Sequence, residues 1–124
     1  MTKLVVDCGN CGPDYNSIRK LIKSSFDAKV IQTHSSQDTL EVLRNQEVAL
    51  VTVNRKLDRD YTDGLEVIRT IKADPEVGAV PVMLVTNYEE HQASATELGA
   101  IPGFGKLSLD APETHARLQA VLGD

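Results

Sequence analysis

The chain has no tryptophan, only three tyrosines and two phenylalanines. Its core must therefore be built from Val, Ile, Leu and Ala rather than from aromatic rings. Positive charge is not in excess either. Thirteen Lys and Arg stand against 18 Asp and Glu, a formal charge of -5 with the two signs interspersed. No basic stripe is present, which argues against direct nucleic-acid binding. No apolar run approaches the ~20 residues of a membrane span. Met1-Thr2-Lys3 leads straight into a strand-like run, which speaks against a signal peptide. The two cysteines, Cys8 and Cys11, lie too close together to staple a fold, and a reducing cytoplasm is the default compartment. The length of 124 residues suits one domain, 1–124, without a separate output domain.

What is there is a regular alternation. Leu4-Val5-Val6 is a short buried-strand run ending at Asp7. Gly9, Gly12 and Pro13 punctuate the next stretch, and Pro13 suits the first turn of a helix. Ile18, Leu21, Ile22 and Phe26 then recur at helical spacing. Lys29 to Thr33 is a second strand, and Ser36 is the candidate cap of a helix with Leu40, Val42 and Leu43 on its apolar face. Val48 to Val53 is nearly all apolar, the mark of a strand covered on both faces. Asn54 to Thr62 is polar and charged and reads as a solvated loop, with Asp63 opening a helix that buries Leu65, Ile68 and Ile71. Val80 to Thr86 is a fourth strand. Tyr88 to Leu98 is a weaker helix stopped at Gly99. Ile101 to Gly105 is a short fifth strand. Asp110 and Glu113 have the spacing of a capping box ahead of a last helix with Ala116, Leu118, Val121 and Leu122.

Five strands alternating with five helices predict an α/β fold with a doubly wound parallel sheet. Ligand chemistry in such folds gathers at the carboxyl ends of the strands. Here those ends are Asp7-Cys8, His34, Asn54, Thr86-Asn87 and Lys106.

At these ends the chain resembles the receiver domains of two-component signalling. The matching pieces are Leu4-Val5-Val6-Asp7, Ala49 to Asn54, Asp63 to Ile68, Pro81 to Thr86, Gly99-Ala100 and Gly103-Phe104-Gly105-Lys106. The resemblance implies a CheY-like sheet of order 2-1-3-4-5. It also implies a chemistry. In receivers an acidic pair closes the first strand, an aspartate closing the third accepts a phosphoryl group, and magnesium bridges them. A Thr or Ser on the fourth strand and a Lys on the fifth hold the phosphoryl oxygens. Carried over, the acidic pair becomes Asp7 and Cys8, the acceptor Asn54, the hydroxyl Thr86, the lysine Lys106 and the switch aromatic Phe104.

The departures decide the functional expectation. A carboxylate oxygen can form an acyl phosphate. The nitrogen of Asn54 cannot, because its lone pair is delocalised into the carbonyl. Magnesium wants charged oxygen ligands, and one carboxylate, Asp7, with a thiol at Cys8 is a poor set. Weak or absent magnesium binding and no other cofactor are expected. Lys106 precedes Leu107 where receivers carry proline, usually in a cis bond, so a trans bond and a displaced Lys106 are expected. Phe104 and Lys106 lie two residues apart, hence on one face of a strand, unless a bulge at Gly103 or Gly105 intervenes. Thr86 and Lys106 then have Asn54 and Asp7 as the expected partners.

The expected role is that of a non-enzymatic, phosphorylation-independent signalling module. Its partner would be a histidine kinase, another regulator or a second copy, bound through Tyr88 to Leu98, Ile101 to Gly105 and Pro112 to Leu122. A displaced acceptor at Asp58, Asp60 or Asp63 is one alternative, disfavoured because a floppy loop does not position a nucleophile. A thiol or soft-metal function at Cys8-Gly9-Asn10-Cys11, with His34 on the neighbouring strand, is the other.

Overall fold

The computed structural model describes residues 2–123, so Met1 lies outside the described residues. Strands β1 (Lys3–Cys8), β2 (Ala28–Thr33), β3 (Leu50–Asn54), β4 (Val82–Val85) and β5 (Ile101–Phe104) alternate with five helices. These are α1 (Gly12–Ser25), α2 (Ser36–Asn45), α3 (Gly64–Ala73), α4 (Glu89–Glu97) and α5 (Pro112–Leu122), with a 3-10 turn at Lys106–Ser108. All strand pairs are parallel, in the order β2-β1-β3-β4-β5. This is the expected α/β architecture, and it places five strand ends at one edge.

Side-chain alternation along the strands fills two layers. Val5, Leu50, Met83, Val85 and Phe104 pack with Ile18 and Ile22 of α1 and Leu118 and Leu122 of α5. Val6, Cys8, Val51, Val53 and Leu84 face Leu43, Val67, Ile68, Ile71 and Ala95 of α2, α3 and α4.

Two caps differ from the sequence reading. In α2 the cap is Ser35, not Ser36. Its hydroxyl accepts from the Asp38 N–H while the Asp38 carboxylate accepts from the Ser35 N–H, a reciprocal capping box. In α5 the Asp110–Glu113 box does not form. The 3-10 turn delays the helix to Pro112, and Ala111 stands at the cap without a side-chain bond. Pro112 has no N–H to leave unsatisfied, so the missing cap costs less there.

The β4–β5 ladder carries a bulge. Met83 pairs with Ile101 and Val85 with Phe104, so two residues on β5, Pro102 and Gly103, oppose one on β4, Leu84. Gly103 allows it, since a Cβ there would sit 2.2 Å from the Leu84 carbonyl oxygen. Gln92 of α4 fills the gap. Its side chain accepts from the Gly103 N–H at 2.9 Å and donates to the Leu84 carbonyl at 2.9 Å.

Candidate functional site

Asp7 closes β1 on the α1/α5 side and is wholly buried. One carboxyl oxygen accepts from Thr52 Oγ1 at 2.7 Å and from Asn10 Nδ2 at 2.8 Å. The other oxygen has no partner, and neither has Asn10 Oδ1. Burial pushes the Asp7 carboxyl up to about 6, although the two hydrogen bonds and the charge of Lys106 pull the other way. Cys8, one residue on, points to the opposite core. Its Sγ lies 3.7 Å from the Ser35 carbonyl oxygen, and burial pushes the thiol up to about 11. Asp7 and Cys8 are therefore not a ligand pair.

Asn54 ends β3 half-buried. Its Nδ2 donates to the Lys56 carbonyl at 2.6 Å and to the Gly9 carbonyl at 3.4 Å. The amide is thus occupied by backbone acceptors of its own loop and of the β1–α1 turn. The expected Thr86 and Lys106 contacts to Asn54 and Asp7 do not form. Thr86 Oγ1 lies 3.3 Å from His91 Nδ1 and accepts from the Tyr88 N–H. Lys106 reaches across to α1, where its Nζ is 2.8 Å from Asp14 Oδ2 and holds that carboxyl below its usual range. The reason is the chain path after β5. The described peptide bonds are all trans. The Leu107 N–H, which a proline would lack, donates to Asn87 Oδ1 at 3.1 Å. Phe104 is buried in the α1/α5 core and Lys106, in the 3-10 turn beyond the end of β5, reaches α1, so both lie on that side of the sheet.

The segment 56–63 is largely exposed, as its charges suggest, but it is bonded internally and buries one residue, Leu57. Lys56 bridges Asp63 in antiparallel fashion, and the Leu57 N–H donates to the Thr62 carbonyl at 2.9 Å. Leu57 is buried in the α2/α3/α4 core. It lies against Gly9, whose φ of +82° and missing Cβ make room for it. The Asp58 N–H donates to the Gly9 carbonyl at 2.9 Å. Two of the three acidic residues of the segment are hydrogen-bonded within it or to the adjoining Arg55, and the third faces His34 of another loop. Asp63 pairs with Arg55 at 2.9 Å and caps α3, Asp60 accepts from the Thr62 N–H, and Asp58 lies 3.6 Å from His34 Nδ1. At the tip Tyr61 adopts a left-handed φ of +59° and is 77% exposed.

A magnesium ion of the receiver kind does not fit this set. One buried carboxylate, a thiol facing away and a carboxamide aimed at its own loop are not an octahedral oxygen shell. No cluster of three or more His, Cys, Asp or Glu suited to a metal occurs among the described residues. The thiol and soft-metal reading finds no support. Cys8 is interior, Cys11 is exposed with its Sγ 3.2 Å from Asp14 Oδ2, and His34 is turned to Asp58.

The sequence reading missed Asn10, Thr52, Asp14, Leu57 and Gln92. Asn10 was concealed as a spacer of the C-x-x-C. Asp14, in the first turn of α1, had only its helix position as a signal.

No family model matches the chain, and no curated protein matches it. Solved structures are. A protein from Chloroflexus aurantiacus J-10-fl, described as a response regulator, superposes with a TM-score of 0.84 at 12% identity over all of both chains. The chemotaxis protein CheY4 of Vibrio cholerae gives 0.78 at 14%, covering 98% of this chain and all of that one. The Mn(2+)-bound form of the response regulator Rcp1 gives 0.69 at 19%, covering 96% and 91%. Among the described residues no helix is long and apolar enough to cross a membrane. The strand order, the five helices and these superpositions together give the chain the fold of the CheY-like receiver domains of response regulators.

Proposed function

We propose that the chain is an atypical receiver that acts in cytoplasmic signal transduction by binding proteins, without phosphorylation and without catalysis. The observation that carries this reading is the state of Asn54. A carboxamide stands at the acceptor position, and its N–H groups are spent on the carbonyls of Gly9 and Lys56. The surroundings agree. Lys106 is neutralised by Asp14 rather than held for a phosphoryl oxygen. The carboxylates of the 55–63 segment are tied into local structure. With no divalent-ion shell at Asp7, magnesium binding is weak or absent. The partner, whether histidine kinase, other regulator or second copy, meets the face formed by residues 88–98, 101–105 and 112–122. A hollow of about 390 Å3 opens there between α4, β5 and α5.

Affinity capture from the native cell, with and without magnesium and a small phosphodonor, tests the reading. The same partners at the same yield in both arms are expected. A partner retained only after phosphodonor treatment overturns it.

A further inference from the structure

Three large hydrophobic side chains stand out in water among the described residues: Tyr61 at 77%, Tyr88 at 61% and Leu107 at 87% exposure. They sit on the turns following β3, β4 and β5, neighbouring strands of one sheet. Tyr88 and Leu107 are close together, because the Leu107 N–H is bonded to the side chain of Asn87, the residue before Tyr88. The hollow between α4, β5 and α5 opens beside them and is lined by Tyr88, Glu89, Glu113 and Arg117.

Charge at this rim is mostly negative, with the Arg117 guanidinium the one cation lining the hollow among the described residues. Glu89, Glu90, Asp110 and Glu113 are exposed. Lys106 is paired with Asp14, and Arg117 is held by the Gly103 carbonyl at 2.6 Å, so the carboxylates outnumber the remaining cation. Acidic residues in a first helical turn complement the helix dipole, which accounts for Glu89, Glu90 and Glu113 as structural choices. It does not account for an exposed Tyr and Leu set among them. A Leu exposed to 87% leaves the free energy of its burial unrealised.

We propose that this rim docks a basic segment of a partner protein. The segment lays apolar side chains on Tyr88 and Leu107 and places a Lys or Arg side chain in the hollow, against Glu89 and Glu113. The inference rests on the protein-binding reading of this face and adds the partner's chemistry. A second copy is the poorer occupant, since a twofold contact would set the acidic rim against itself.

The test uses the isotope-labelled full chain and three synthetic helical peptides. All share one Leu stripe and differ only in flanking residues: Lys, Ser or Glu. The Lys peptide is expected to shift the NMR signals of Tyr88, Leu107 and Glu113 and to bind at least about tenfold more tightly than its Glu twin. Added salt should narrow that difference. The double variant Tyr88→Ser, Leu107→Ser should lose the response while the rest of its spectrum stays unchanged. Equal binding of all three peptides on this face overturns the basic-partner chemistry and leaves the face standing. Shifts confined to the groove of Val48, Pro81, Ile101 and Val121, or no shifts with any peptide, overturn the face as well. A dimer in sedimentation that Tyr88→Ser dissolves overturns it in favour of a second copy.

Discussion

The two halves of the strand-end edge are built to opposite plans. Around β1 and β3 the edge is sealed. Asp7 is wholly buried, Leu57 is folded down against Gly9, and Asn54 is bonded to its own loop. Around β4 and β5 it is open, with a hollow of about 390 Å3 and two exposed hydrophobic residues. The sealed half is where a receiver would perform phosphoryl chemistry, and the open half is where it would meet a partner. The difference teaches that one strand-end edge can be closed by its own loops at β1 and β3 and still leave a hollow at β4 and β5.

The sealed half should be the more sensitive to substitution. Leu57→Ala removes a buried side chain that plugs the loop and should cost about 2–5 kcal/mol in urea unfolding. A cost below 1 kcal/mol, as for a surface residue, would erase the contrast between the halves.

Asp7 sharpens the comparison through pH. The fold raises its pKa from 3.8 to about 6, so the folded chain holds the proton more tightly than the unfolded one. Its contribution is full below about pH 4, declines as pH rises through about 6, and is level above that. Asp7→Asn should therefore stabilise the protein at neutral pH, by about 3 kcal/mol at most, and flatten the decline. The amide also brings an N–H towards a pocket that holds the unpartnered Asn10 Oδ1. Loss of stability in this variant would mean that the buried charge is compensated.

In the open half, Gln92→Ala leaves the Gly103 N–H and Leu84 carbonyl without their side-chain partner. About 1–3 kcal/mol should be lost, with faster hydrogen exchange localised at the β4–β5 bulge. Smallest of all, Tyr88→Ser and Leu107→Ser should each change stability by no more than about 0.5 kcal/mol. A larger loss in calorimetry would show that these side chains serve the fold.

The fold was legible because its signals are periodic. Val48 to Val53 and Val80 to Thr86 read as covered strands, and Pro13, Asp63 and Gly99 mark helix ends that the structure keeps. A bulge at Gly103 was one option that the spacing of Phe104 and Lys106 left open, and the observed bulge lies ahead of Phe104, opposite Leu84. The wiring of the site was less legible. The trans bond and the displacement of Lys106 were legible from Leu107, but its pairing with Asp14 of α1 was not. Leu57 is one apolar residue in a charged run, and only the left-handed turn at Gly9 opens a place for it. Ser35 rather than Ser36 caps α2 because its register with Asp38 closes the reciprocal bonds, a one-residue distinction between adjacent serines.

Intact mass spectrometry of the wild-type chain, after incubation with magnesium and a small phosphodonor, bears most directly on the sealed half. The carboxamide at Asn54 and the tethered aspartates beside it predict an unmodified mass. A stoichiometric phosphoryl adduct would contradict the account.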